Sequence, residues 1–169
     1  AGWSVAALDV NQAGLDALGD GPQLLKLLVD VRDEQAVVDA VTRTEAQFGP
    51  ITRVVNAAAI MPFAPLMEME SATIKRIFDI NFLGMVHVCK ATVPLMMSRG
   101  QGDVVIFGSL SGIVPIFYMG AYGASKFATL GYTETLQQET KGKGVHVMCV
   151  CPPGVKTPLL DTAKGTKWP

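Results

Sequence analysis

Tyr122 and Lys126 stand four positions apart, and together their side chains could form a general base. In a helix, residues at this spacing lie on one face, one turn apart. A lysine ammonium beside a phenol favours the phenolate and lowers the pKa of the tyrosine, which is ordinarily about 10. The same two-residue pattern is also typical of an ordinary surface helix, so its meaning depends on the elements around it.

Those elements alternate between apolar strands and helices. Apolar runs predict strands over residues 3–9, 24–29, 51–55, 104–107 and 145–151. Helices are predicted over 11–18, 33–48, 72–98 and 121–141, with Ser71 as the N-cap of the third and a kink in it at Pro94. Nearly continuous apolar strands that alternate with helices indicate an α/β protein with a parallel sheet covered on both faces.

Polar residues and one glycine recur at the ends of these strands. Asp9, Asp30, Asn56, Ser109 and Gly154 each lie at or just past a predicted strand end. In parallel sheets, ligands bind beyond the carboxyl ends of the strands. We therefore expect these residues to border one ligand site.

Composition excludes several classes of protein. The 169 residues are 49% hydrophobic with a net charge of −1, which favours one compact domain over residues 1–169. The basic residues are scattered, so we expect no nucleic-acid partner. No apolar run has the roughly 20 residues that a membrane span requires and no signal peptide is recognisable, so we expect a cytoplasmic protein.

The cysteines and histidines give no metal-ligand spacing, so we expect no metal site. Cys149 and Cys151 belong to the last predicted strand. We expect their side chains to point to opposite faces and to form no mutual disulfide.

Three further motifs change the meaning of the Tyr122 and Lys126 pair. The segment Val55-Asn56-Ala57-Ala58-Ala59 follows a strand, Asn81 lies in the third helix, and Ser109 precedes Tyr122 by 13 positions. In type, order and spacing these residues resemble the short-chain dehydrogenase/reductase family. That resemblance covers nearly the whole chain and implies a doubly wound parallel sheet of Rossmann type, with three α/β/α layers.

The resemblance also implies roles for the catalytic candidates. Tyr122 would exchange a proton with the substrate oxygen, Lys126 would favour the phenolate, and Ser109 would hold the substrate oxygen. Asn81 would hold a water that links Lys126 to solvent. The alternatives are a simple strand-end serine for Ser109 and an asparagine that only satisfies nearby backbone for Asn81.

The family resemblance implies a nicotinamide cofactor, and Asp9 at the end of its strand favours NAD over NADP. An Asx turn is the alternative role for Asp9. The implied cofactor-binding residues are Asp9, Asp30, Val31, Asn56, Ala57, Ala58, Tyr122, Lys126, Pro152, Val155 and Thr157. The family usually has Pro-Gly where this chain has Pro152-Pro153, which leaves the placement of the nicotinamide ring less defined.

The phosphate-binding strand and glycine-rich turn of the family would precede residue 1. Gly14, Gly19 and Gly21 do not replace them, because these glycines follow no strand directly and precede another apolar strand. Without that strand the sheet is interrupted between residues 3–9 and 51–55. The family also continues beyond Pro169 into a substrate lid and a last strand. We therefore expect the chain to be incomplete at both ends and part of a longer polypeptide.

These observations favour an NAD-dependent oxidoreductase that acts on a secondary alcohol or its ketone. The apolar loop over residues 113–119, together with Leu159 and Leu160, suggests a pocket for a hydrophobic substrate. By resemblance, the two long helices would pair with their copies in a homodimer within a homotetramer. The alternative function is a catalytically silent scaffold or dimerisation protein on the same fold.

Overall fold

The computed structural model describes residues 2–157 and Leu159, and it has the predicted alternation of strands and helices. The strands are β1 (Val5–Asp9), β2 (Leu24–Leu28), β3 (Arg53–Asn56), β4 (Gly102–Phe107) and β5 (Val145–Val150). The α-helices are α1 (Gln12–Asp16), α2 (Glu34–Phe48), α3 (Ser71–Phe78), α4 (Gly84–Arg99) and α5 (Gly120–Glu139). A π-helical segment, Asp79–Leu83, joins α3 to α4, and a 3-10 turn, Leu110–Gly112, follows β4.

All strand pairs are parallel, but they form two sheets. β1 pairs with β2, whereas β4 lies between β3 and β5. The division between β1 and β3 is where the sequence predicts an interrupted sheet. Across it the Arg53 guanidinium lies 5.1 Å from the centre of the Trp3 ring.

Helices α4 and α5 cover one face of the three-stranded sheet. Val104 and Ile106 of β4 are buried there in a cluster with Met85, Cys89 and Met96 of α4. Because side chains alternate along a strand, the neighbouring residues point to the opposite face. On that face Val55 and Met148 are 57% and 56% exposed, so the described helices cover these strands on one side only.

Contacts between α2 and α4 hold the two sheets together. The Arg99 guanidinium forms a two-point ion pair with the Glu45 carboxylate, with both N–O distances 2.6 Å, and Lys90 pairs with Glu34. Leu27 and Val37 are buried in a cluster against which Val88 and Ala91 of α4 pack. The apolar contact supplies most of the attraction, because exposed ion pairs contribute little.

The region predicted as one long helix contains two departures from the prediction. Ser71 is not the N-cap: the cap is Glu70, whose carbonyl oxygen accepts the Thr73 and Ile74 amides at 2.9 and 3.1 Å. The irregularity lies at Asp79–Leu83, where the backbone widens to a π-helix, and Pro94 lies within α4. Gly100 ends α4 with a φ of 66°, a left-handed conformation that glycine adopts readily after a helix.

The expectation that no apolar run is long enough for a membrane span needs correction: the helical segment Ser71–Arg99 is long and apolar enough to cross one, by length and composition alone. In this fold its residues Ile77, Met85 and Met96 are fully buried within the protein. Those contacts are typical of a core helix that packs on a sheet.

Candidate active site

The turn after β4 positions Ser109. Its backbone is extended, and its Oγ accepts a hydrogen bond from the Ser111 amide at 3.2 Å, which begins the 3-10 turn. The turn packs directly on α5: a Cβ on Gly112 would lie 2.7 Å from the Lys126 carbonyl oxygen. Glycine at 112 therefore permits the close approach that brings Ser109 to the start of α5.

Tyr122 is only 4% exposed, and the Ser109 side chain is near enough to act on its pKa. The Lys126 Nζ lies 5.7 Å from the centre of the Tyr122 ring, one turn along α5. The structure thus brings Ser109, from the turn after β4, close to Tyr122 and Lys126 of α5.

The pKa values in this cluster are governed by burial. Burial raises the pKa of Tyr122 above its usual value, and the nearby Ser109 hydroxyl opposes this increase. The sequence-based expectation that Lys126 lowers this pKa is not met here. The Lys126 ammonium instead donates to the Phe107 carbonyl oxygen at 2.7 Å, so it is not directed at the phenol oxygen.

Lys126 itself is 3% exposed, and burial lowers its pKa to about 8. Negative charge on the nearby Cys149 and Cys151 sulfurs would act in the opposite direction. At neutral pH most of the lysine is therefore still protonated, and it can supply positive charge beneath the Tyr122 ring.

Asn81 is 1% exposed and makes three hydrogen bonds. Its side chain accepts the Ile60 amide at 2.9 Å, and it donates to the Ile60 carbonyl at 3.0 Å and to the Ser125 hydroxyl at 3.1 Å. In this structure Asn81 joins the segment after β3 to α5, as in the backbone-satisfying alternative. The relay role implied by the resemblance stays a prediction.

Asp9 and Asp30 lie at the carboxyl ends of the adjacent strands β1 and β2. The Asp9 carboxylate accepts the Asn11 amide at 2.9 Å, which is the Asx-turn alternative for this residue. Both Asp30 oxygens accept from the Arg32 side chain, with the Nε contacts at 3.0 and 2.9 Å, and this lowers the pKa of the Asp30 carboxyl. For Asp30 to accept from an adenine amine, Arg32 would have to share or release an oxygen.

Val31 is held against the long helix. Its carbonyl oxygen lies 2.8 Å from His87 Nδ1, and its side chain is so close to Gly84 that a Cβ there would lie 2.5 Å from it. Glycine at 84 is therefore required for this contact, a feature that only the structure reveals.

The other implied cofactor residues border the same edge of the sheet. Asn56 is buried at the end of β3, and Ala57 and Ala58 follow it. Pro152 accepts the Leu110 amide at 3.0 Å, so the segment after β5 contacts the Ser109 turn. Val155 and Thr157 lie in an exposed, irregular segment, whereas Leu160 lies outside the described residues.

The expectation that Cys149 and Cys151 point to opposite faces is wrong. Their sulfur atoms lie 3.7 Å apart on the α5 side of the sheet. Residues two positions apart in a strand share a face, since side chains alternate at each residue. As expected, the two cysteines form no disulfide, and Cys89 is also a free thiol.

An apolar surface lies beside the Ser109 turn. Ile113, Val114, Ile116 and Phe117 are 36% to 64% exposed in the loop before α5. Within residues 2–157 and Leu159, no group of three or more His, Cys, Asp or Glu side chains could hold a metal ion.

A sequence model of the family described as short chain dehydrogenase matches residues 1–168. The 3-ketodihydrosphingosine reductase of Bos taurus is 33% identical over 152 residues, which cover 89% of this chain and 46% of that protein. The chain thus spans about half of the length of this relative.

Solved structures with the same fold include NAD+-bound xylitol dehydrogenase, with a TM-score of 0.82 and 29% identity over 88% of this chain and 59% of the other. ElxO with NADP bound has a TM-score of 0.87 at 23% identity, covering 94% of this chain and 66% of that one. These similarities support the predicted Rossmann-type arrangement of parallel strands and helices.

Proposed function

The chain belongs to the short-chain dehydrogenase family of oxidoreductases, and we propose that it transfers hydride between NAD and a secondary alcohol or its ketone. The observation that carries the proposal is the contact of Ser109 with Tyr122 above the buried Lys126 ammonium. A buried phenol, an oxygen anchor and a cation on rigid elements suit proton exchange with a hydroxyl or carbonyl oxygen.

In this proposal the nicotinamide, when bound, supplies the hydride acceptor or donor. Tyr122 takes the proton of the substrate hydroxyl in oxidation and returns it in reduction. Ser109 holds the substrate oxygen and stabilises its developing charge. Burial raises the pKa of Tyr122 in the protein alone, and Lys126 does not reverse this increase there. In the proposed reaction, the positive charges of Lys126 and of a bound oxidised nicotinamide together lower the cost of the buried phenolate.

NAD rather than NADP is the cofactor we propose, because of Asp9. An exposed carboxylate at the end of β1 accepts hydrogen bonds from ribose hydroxyls and repels a 2′-phosphate. The Asx turn with Asn11 uses the Oδ1 atom of this carboxylate, and it fixes the side chain at the strand end. The NAD+-bound xylitol dehydrogenase, at 29% identity, is consistent with this preference.

We propose a hydrophobic substrate, because the loop beside Ser109 exposes Ile113, Val114 and Phe117. Contact with an apolar substrate would remove this surface from water. The name of the bovine relative, a reductase of a sphingosine-type ketone, supports the same substrate class.

The test is a Tyr122→Phe variant in the complete protein, with alcohols screened against NAD and NADP by reduced-nicotinamide absorbance. We expect kcat to fall by about 100-fold or more, with the Kd for NAD nearly unchanged, because only the proton-transferring hydroxyl is lost. Tyr132→Phe, on the same helix, is the matched control and should retain turnover. Undiminished turnover in Tyr122→Phe would refute the mechanism.

A silent scaffold remains the alternative, but the clustered Ser109, Tyr122 and Lys126 side chains do not favour it.

We propose a cytoplasmic location, because free thiols suit a reducing compartment, and cell fractionation tests this. We propose a homodimer or homotetramer, since Leu95 of α4 and Phe127 of α5 are 36% and 44% exposed. Light scattering after size-exclusion chromatography would measure the assembly.

A further inference from the structure

Two thiols lie together at the end of β5, beneath helix α5. Cys149 is the fifth residue of β5 and Cys151 follows the strand, with their sulfur atoms 3.7 Å apart. Both side chains are partly buried, whereas Cys89 is 2% exposed in the core of the sheet. The pair therefore combines proximity with partial access, which Cys89 lacks.

The sulfur separation suits a bridging atom better than a direct bond. A disulfide requires about 2.05 Å between the sulfurs, and extended backbone holds residues two apart near the upper limit of disulfide geometry. A single soft atom that bonds two thiolates at about 2.3 Å each can bridge sulfurs that lie up to about 4.6 Å apart. The observed 3.7 Å is within that reach, so one such atom can bond both sulfurs with little movement.

The thiols also contact the backbone that supports the candidate active site. A Cβ on Gly108 would lie 2.8 Å from the Cys151 sulfur and 2.9 Å from the Cys149 sulfur. Gly108 connects Phe107, whose carbonyl accepts the Lys126 ammonium at 2.7 Å, to Ser109. A group added between the sulfurs would thus push on Gly108.

We propose that Cys149 and Cys151 form a chelating dithiol site for soft thiophilic electrophiles, of which trivalent arsenicals are the defining class, and that its occupation displaces the Phe107–Ser109 segment. With phenylarsine oxide, two arsenic–sulfur bonds form and the arsenic–oxygen bond breaks. The oxygen leaves with both thiol protons as water, so arsenic stays trivalent and no oxidant is needed. The burial that keeps the pKa of Cys149 near 11 leaves its thiol protonated, and this proton is one of the two released.

The experiment adds phenylarsine oxide to the complete folded protein and measures intact mass, followed by peptide mapping. We expect one phenylarsenic group per chain, on the peptide that carries Cys149 and Cys151. The adduct should resist excess glutathione, because two arsenic–sulfur bonds must be broken together. The dithiol 2,3-dimercaptopropanol should remove it, because its two thiols can replace both bonds.

The matched variants are Cys149→Ser and Cys151→Ser, each with the other thiol and Cys89 retained. Each should bind the arsenical at least about 100-fold more weakly and lose it to glutathione, because a chelate owes its affinity to the second contact. If Cys149→Ser does not fold, Cys151→Ser makes the same test, since Cys151 lies beyond the strand. A glutathione-resistant adduct in Cys151→Ser, modification of Cys89, or no adduct in the wild type would overturn the proposal.

The activity measurement rests on the proposed function, whereas the mass measurement does not. Turnover of the wild type should fall at least about tenfold with one arsenical bound, because Gly108 lies between Phe107 and Ser109, and return with the dithiol. A wild-type adduct with unchanged turnover would overturn the coupling to Ser109. A protein that forms the adduct but never turns over alcohol refutes the proposed function and leaves the dithiol site standing.

Discussion

Lys126→Met removes a buried ammonium whose free-energy cost depends on pH. The lysine is 3% exposed, and burial lowers its pKa from an ordinary 10.5 to about 8. The separation between these two values corresponds to about 3 kcal/mol, since each pKa unit is worth about 1.4 kcal/mol. Methionine has similar length and no charge, so it removes the titration while it keeps most of the packing.

The direction of the pH dependence follows from whether Lys126 holds its proton in the folded and in the unfolded chain. Below pH 8 both the folded and unfolded chains hold the lysine proton, and the full cost of burying the charge is present. Between pH 8 and 10.5 the unfolded chain holds the proton and the folded chain does not, so the stability of the wild type rises with pH. By pH 9.5 the wild type should gain about 2 kcal/mol relative to Lys126→Met.

The assay is urea unfolding followed by circular dichroism at pH 7 and pH 9.5, with the free energies of unfolding of the two proteins subtracted at each pH. Subtraction removes the contributions of all other titrating groups that the substitution leaves unchanged. Lys143→Met, at an exposed lysine, controls for the general loss of a positive charge and should track the wild type. A difference that stays constant or falls with pH would refute the conclusion that burial governs the charge of Lys126.

Two further predictions concern the stability of the fold. Asn81→Ala should lower the free energy of unfolding by about 2 to 4 kcal/mol in urea titrations, because it strands both backbone groups of Ile60; no loss would contradict this. Gly144→Ala should cost at least about 3 kcal/mol in the same assay, from left-handed backbone and overpacking together. Its φ is 72° and a Cβ would lie 1.9 Å from the Gly100 oxygen. Gly142→Ala, with a φ of 76° and no neighbour within 4 Å, should cost only about 1 to 2 kcal/mol; equal losses would disprove the clash.

The sequence predicted the parts of the fold that depend on local pattern. Apolar runs identified every strand within residues 2–157, and Gly49 and Gly100 end α2 and α4 with positive φ, as local glycine signals do. The rejection of Gly14, Gly19 and Gly21 as a phosphate loop is consistent with the strand Leu24–Leu28 that follows them. Such signals are local, because each depends on the conformational range of one residue or the periodicity of one element.

Errors arose where a neighbouring group competes for the same atom. The predicted cap at Ser71 fails because the Glu70 carbonyl receives the first helical amides. The adenine contact of Asp30 stays a prediction, but the sequence pattern did not indicate that Arg32, two residues later, donates to both of its oxygens. The orientation of Cys149 and Cys151 was predicted wrongly because the two-residue alternation of side chains along a strand was misapplied. The sequence alone is enough to correct it, since residues two positions apart in a strand share a face.

What the sequence alone determined is the chemistry available: a phenol and an amine one helical turn apart, a serine after a strand, and the family to which the chain belongs. Only the tertiary structure decided the states of these groups. Burial raises the pKa of Tyr122 and lowers that of Lys126, and close packing places two thiols against Gly108. The reason is physical: desolvation and contact depend on residues far apart in the chain, which no local pattern records.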